Sequence, residues 1–324
     1  MGKMSTPKML ERYLFLLTRS VNSTRVDAEP HRRVLAIRLA KRQGGRGVWF
    51  AVTVVALLVV LSAGWYGYYR KEVTLQKVVF NGDVALPGGV KLEMVKIPAG
   101  EFLRDDGKMV RLTKSYWLGK YEVTNEQWQA VMSGRRASQD GTDLSDPSKW
   151  KGSKRPVECV SWNDAMDFCK RLNELYDNKL PRGYCIDLPT EVQWEYACRA
   201  GTTTNYSYGN ASDTEKMNFD GNNPYGGGSK GVYRKTTVDV GSLGYKNAFG
   251  LYDMHGNVWE WCRDGVDESY GGDTTAPATG SKRVIRGGSW SEYASCCRSA
   301  YRFSLVPGNR LIILGFRLAL VPVQ

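Results

Sequence analysis

"SCCRSAYRFSLVPGNRLIILGFRLAL", residues 295–320, decides how the chain is read. Residues 314–321 alternate, in part, as a strand with one buried face does, which makes them the closing strand of a domain. Two features just before that strand do not fit an ordinary core. Cys296 and Cys297 are adjacent thiols. Leu311-Ile312-Ile313-Leu314 is apolar directly after the turn-forming Pro307-Gly308-Asn309-Arg310, where folding alone favours polar residues. Three readings follow: the active centre of a cysteine-dependent oxidase, an inward-facing strand carrying Ile312 and Leu314, or an apolar binding surface.

Working outward, helix starts are marked by capping boxes, in which a hydroxyl and a residue three positions on satisfy free amides of the first turn. They are Thr124-Asn-Glu-Gln127, Ser161-Trp-Asn-Asp164 and Thr190-Glu-Val-Gln193. After the second, Ala165, Met166, Cys169, Leu172 and Leu175 recur at helical spacing, which predicts an apolar face with Cys169 in the core. Residues 201–250 are rich in Gly, Asn and Ser and show no periodicity, so they predict a long irregular segment that needs a function or a pinning device. Residues 283–290, "RVIRGGSW", read as a strand.

The net charge of +12 is unevenly placed: residues 1–47 hold 11 Lys and Arg against Glu11, Asp27 and Glu29. The basic pI therefore describes mainly that segment and is poor evidence for nucleic-acid binding by the rest, so no nucleic-acid partner is expected. Residues 48–69, "VWFAVTVVALLVVLSAGWYGYY", carry no charge. As a helix they would extend about 33 Å, enough to cross a hydrocarbon core of about 30 Å, and Trp49, Trp65, Tyr66, Tyr68 and Tyr69 suit its interfaces. The sequence thus predicts a single-pass membrane protein: a cytoplasmic basic segment (1–47), a transmembrane helix (48–69), a juxtamembrane stalk (70–90) and an exported domain (91–324). Seven cysteines and two histidines, without a CxxC pair, argue against a zinc site.

From residue 91 onward the order of motifs is informative. "MVKIPAGEF" (94–102), "YEVTNEQW" (121–128), "PVECVSWNDAMDFCKRLN" (156–173), "LPTEVQWEYACRAG" (188–201), "NAFGLYDMHGNVWEWCRD" (247–264), "RVIRGGSW" (283–290) and "LGFRLAL" (314–320) follow one another. The set resembles the formylglycine-generating-enzyme/sulfatase-modifying-factor superfamily. The resemblance implies an α+β fold with low regular secondary structure, a variant of the C-type lectin fold. In the oxidases of that superfamily two cysteines, five residues apart, bind copper(I). Aligned on Gly-Gly-Ser-Trp290, Glu292 falls at the first of those positions and Cys297 at the second. Copper(I) asks for two thiolates and a carboxylate is a hard ligand, so copper is not expected and Cys297 is a weak candidate for catalysis. Cys296 is a poor substitute if the backbone is extended, because neighbouring side chains then point to opposite faces. The oxidases also bind a structural calcium, and by position its ligands here would be the Asp253 and Glu260 side chains with the Gly256 and Val258 carbonyls, a set of oxygens suited to that ion. The competing reading is that Asp253 and Glu260 hydrogen-bond nearby backbone.

The segment also resembles the cassette of variable proteins made by diversity-generating retroelements, members of the same superfamily whose template adenines are mutated so that AAC codons become NNC. Such codons exclude Lys, Glu, Gln, Met and Trp. Within 291–314 only Glu292 belongs to that group. The resemblance implies a ligand surface built from Ser291, Tyr293, Ser295, Cys296, Tyr301, Phe303, Ser304, Leu305, Val306, Leu311, Ile312 and Ile313, displayed at the cell surface toward a protein or glycan. The alternative is a formylglycine-generating oxidase acting on an exported substrate.

Overall fold

Three helices begin where the chain satisfies its own free amides. The computed structural model describes residues 82–137, 141–176, 179–266 and 282–323. Helix α1 (Asn125–Met132) starts at Thr124, whose hydroxyl accepts from the Gln127 amide while the Gln127 side chain accepts from the Thr124 amide. Helix α2 (Trp162–Tyr176) opens with the same exchange between Ser161 and Asp164. Helix α3 (Glu191–Arg199) opens with it between Thr190 and Gln193. All three expected boxes are present. The buried face of α2 differs from the expected one: Ala165, Cys169 and Leu172 are buried along with Phe168 and Tyr176, whereas Met166 is half-buried and Leu175 is exposed.

The first sheet has the order β1 (Asp83–Ala85), β2 (Lys91–Ile97), β5 (Tyr116–Gly119), β11 (Ala319–Pro322) and β6 (Tyr184–Asp187), antiparallel throughout. β11 is therefore paired on both sides, with Leu320 opposite Trp117 and Ile186. Because β1 pairs with β2 and buries Val84, with Leu86 buried just beyond it, residues 83–90 belong to the domain and not to a stalk. The basic segment, the apolar span at 48–69 and the start of the expected stalk lie outside the described residues. Among the described residues no helix is long and apolar enough to cross a membrane.

The second sheet has the order β10 (Leu314–Gly315), β7 (Trp259–Gly265), β8 (Arg283–Arg286) and β9 (Arg302–Leu305), with β10 parallel to β7 and the remaining pairs antiparallel. A short hairpin, β3 (Gly100–Leu103) with β4 (Met109–Leu112), stands apart. Both strands expected near the C-terminus are shorter than the pattern suggested. β8 stops at Arg286 because Gly287 and Gly288 adopt φ of 97° and 75°, a left-handed conformation that ends the ladder. Residues 314–321 form two strands in two sheets, and Phe316, Arg317 and Leu318 cross between them, fully buried. Phe316 meets Trp128 and Phe168 edge-on in the core. Between Arg199 and Trp259 the described chain forms only isolated bridges, as the lack of periodicity suggested.

Candidate ligand-binding surface

β9 alternates, and the alternation divides its side chains between two jobs. Arg302 turns toward α3 and pairs through two nitrogens with Glu191, at 2.8 and 2.9 Å. Tyr301 and Phe303 turn the other way, their rings 6.0 and 6.5 Å from that of Trp259 on β7. Trp259 is nearly buried and forms a floor; Phe303 above it is 54% exposed. Past β9, the Val306 carbonyl accepts from the Asn309 amide, closing the expected turn.

The structure gathers the twelve candidate positions on the outside of the domain. Tyr293, Phe303, Val306 and Leu311 are exposed, and Ser291, Ser295, Cys296, Tyr301, Ser304, Leu305, Ile312 and Ile313 are half-buried. None is buried, whereas Ala294, Cys297, Ser299 and Leu314 between and beside them are. The inward-facing reading therefore holds for Leu314 and not for Ile312.

The main chain of this segment is held by residues outside the set. The Asp220 amide donates to the Glu292 carbonyl, the Ala294 amide to Asn223 and the Ser299 amide to Asn205. The Tyr206 hydroxyl donates to the Ala294 carbonyl at 2.8 Å. Arg286 donates to the carbonyl of Tyr301. Further on, the amides of Trp162, Cys159 and Trp259 donate to the carbonyls of Pro307, Leu311 and Ile313, and the Trp290 indole to that of Ile312. The long irregular segment thus has its pinning device, and the cassette backbone is part of it. Sequence reasoning missed these anchors, and it missed Tyr225, an exposed ring outside the cassette covered by Arg298.

Ala294–Cys297 is a 3-10 turn, so the extended backbone considered for the two cysteines does not occur. Cys297 is fully buried against Gly288, where a side-chain carbon would come within 2.5 Å of its sulfur. Burial, then the nearby Cys296 and Glu292, hold the Cys297 thiol well above its ordinary pKa. Cys296 is half-buried. The Cys297 carbonyl is held by His255. The His255 Nε2 accepts from the Ser207 amide at 3.0 Å, which leaves Nδ1 to donate to that carbonyl at 2.8 Å. Burial lowers the pKa of His255 to about 4, so the ring is neutral. At the first thiol position, the Glu292 carboxylate accepts a weak hydrogen bond from the Trp259 indole, at 3.4 Å. One buried thiol and one carboxylate lack the two thiolates that copper(I) asks for.

The calcium candidates are arranged differently from the expected set. Both oxygens of Glu260 accept from Arg317, at 2.6 Å each, and one also accepts from the Trp194 indole at 2.7 Å. Asp253 accepts from the Gly241 amide at 2.6 Å. This matches the backbone-bonding alternative for Asp253, and gives Glu260 a cation of its own. Gly256 and Val258 lie in the same buried loop, where Glu122 accepts from the Val258 amide and the Asn257 side chain. Burial, then Asp253 and Glu260, push Glu122 well above the ordinary carboxylate range, and burial raises Asp253 to about 6. Glu122, Asp253 and Glu260 all lie within electrostatic reach of Arg317. Yet among the described residues no three His, Cys, Asp or Glu side chains are grouped as a metal set.

Three helices, two small sheets, a hairpin and a long irregular segment make a low-regularity α+β scaffold, a lectin-like fold. The model of the sulfatase-modifying factor enzyme 1-like domain matches residues 87–321, and the chain belongs to that family. It is similar to the solved Treponema denticola variable protein 1, at 29% identity and a TM-score of 0.59, covering 74% of this chain and 98% of that one. The formylglycine-generating enzyme of Mus musculus is 31% identical over 59% of this chain and 50% of its own length. The serine/threonine-protein kinase pkn1 of Chlamydia caviae is 29% identical over 77% of this chain and 41% of its own length. The chain thus spans half or less of the length of these two relatives.

Proposed function

We propose that this chain is a ligand-binding protein whose surface at 291–313 is diversified, the variable protein of a diversity-generating retroelement. One observation carries the reading: all twelve candidate side chains reach solvent, while their backbone is hung on residues outside the set. Such a segment accepts new side chains without losing its course. Tyr293, Phe303, Val306 and Leu311 are large apolar side chains left exposed, the kind that serve interaction sites. The likeness to a variable protein at 29% identity supports the same reading. In this proposal the span at 48–69 anchors the chain, with the N-terminus cytoplasmic, and the domain meets a protein or glycan outside. A calcium ion at Asp253 and the Gly256 and Val258 carbonyls would offset the surplus acid charge, with Glu260 shared with Arg317.

The test is a displayed library with NNC codons at the twelve positions. Most members should fold, judged by protease resistance, and binders to an unrelated folded protein should emerge on sorting. Wholesale unfolding of the library would overturn the reading. In the genome, an adenine-rich near-repeat of the codons for 289–320 should lie near a reverse transcriptase gene.

The similarity to the mouse formylglycine-generating enzyme keeps an oxidase as the second reading. Glu292 in place of a thiol speaks against it. Conversion of a sulfatase-motif cysteine to formylglycine by the full chain with copper(I) and oxygen would reverse the order of the two.

A further inference from the structure

The second sheet ends at β9, and β9 lies inside the proposed surface. Its inner edge pairs with β8, from Arg283 opposite Leu305 to Arg286 opposite Arg302. Among the described residues nothing pairs with its outer edge. In an antiparallel ladder, successive residues send their N–H and C=O toward the partner and away from it in turn. Two of the four residues in Arg302–Leu305 therefore direct both backbone groups outward. Those groups are main chain, so they survive any change of side chain.

The surroundings suit a strand. Arg302, held by Glu191, fixes the strand to the domain from one face. Tyr301 and Phe303 stand on the other face over Trp259, and Val306, just past the strand, is exposed. A second strand laid along β9 would place alternate side chains beside these rings.

We infer that the ligand of this surface is engaged through an extended peptide segment of a partner protein, which adds to the second sheet along the outer edge of β9. The inference rests on the binding-surface reading. It commits to a peptide because only another extended main chain repeats donors and acceptors at the spacing of a strand edge. Backbone pairing supplies affinity that does not vary between versions of the cassette, and the side chains around it select the sequence.

The experiment pans displayed short linear random peptides against the purified full chain and then studies one selected peptide. N-methylation along that peptide should weaken binding about tenfold or more at every second residue and little at the residues between. One or two amides within Arg302–Leu305 should gain protection from hydrogen exchange when the peptide binds. Indifference to N-methylation, unchanged exchange in β9, or failure of any linear peptide to be selected would overturn strand addition. The variants Phe303→Asn and Leu311→Asn separate the two levels. If they abolish binding while N-methylation does not, the surface reading stands and strand addition falls. Should a selected peptide ignore both variants, the surface reading falls as well. If no linear peptide is selected, sorting the NNC library against a folded protein decides the surface reading separately.

Discussion

Arg317 and Glu260 are each fully buried, and their two hydrogen bonds at 2.6 Å make a bidentate pair. Arg317 also donates to the carbonyls of Gly119 and Tyr252, so one side chain joins the crossing between the sheets to β5 and to the irregular segment. Replacing Arg317 with Met leaves Glu260 buried and unpaired, and should lower stability by about 3–5 kcal/mol in denaturant unfolding. A loss below 1 kcal/mol would mean the acid is compensated by something else, a bound cation included. The local motif "GNVWEW" made Glu260 legible as a special acid. It could not show the arginine, 57 residues further on, that makes Glu260 a structural residue in its own right. The two cysteines divide in the same way. Cys296 is half-buried, while Cys297 is enclosed and its thiol is held well above its ordinary pKa by burial first. Alkylation of the native chain near pH 8, followed by peptide mapping, should mark Cys296 and spare Cys297 until the fold opens. Equal labelling would remove the distinction between a surface position and a framework position on which the cassette reading depends.

The elements that could be read from sequence are those whose cause is local. A capping box spans four residues, and all three expected boxes start helices. The strands near the C-terminus were legible in place and not in length: β8 ends at two left-handed glycines, and residues 314–321 divide between two sheets. Gly288 illustrates this. Its φ of 75° and the Cys297 sulfur behind it both exclude a side chain. Gly288→Ala should therefore cost about 2–4 kcal/mol from the left-handed backbone and overpacking together, seen as a lowered unfolding midpoint. The irregular segment from 200 to 258 was legible only as irregular. Its order comes from hydrogen bonds between residues tens of positions apart, such as Tyr206 to Ala294, for which no periodicity exists. Tyr206→Phe removes only an oxygen, but it leaves a buried carbonyl without its donor. The expected cost is about 1–3 kcal/mol, with faster hydrogen exchange confined to the 3-10 turn at Ala294–Cys297. If exchange rises equally across the whole domain, the hydroxyl is a general core contact and not a support for the cassette.

At the scale of the molecule, the proposed surface shares one stretch of chain with the core. The candidate positions are interleaved with core residues: Leu314 packs in the same apolar cluster as Trp128, Phe168 and Phe316, one residue after half-buried Ile313. Tolerance must therefore be graded by position. Tyr293, Phe303, Val306 and Leu311 are exposed, whereas Cys296, Tyr301, Leu305 and Ile313 pack partly against that cluster. Changing the four exposed residues together to Asn or Ser should move stability by no more than about 0.5 kcal/mol per site, as surface substitutions do. Leu314→Ala alone should cost about 2–5 kcal/mol, a fall of roughly 4–20 °C in Tm for a domain of this size. The four half-buried positions should fall between these limits, with larger losses for polar replacements than for apolar ones. Calorimetry on the three groups of variants gives the ordering directly. If any one of the four surface replacements made singly melts as early as Leu314→Ala, that position serves the core and is not part of an interchangeable surface.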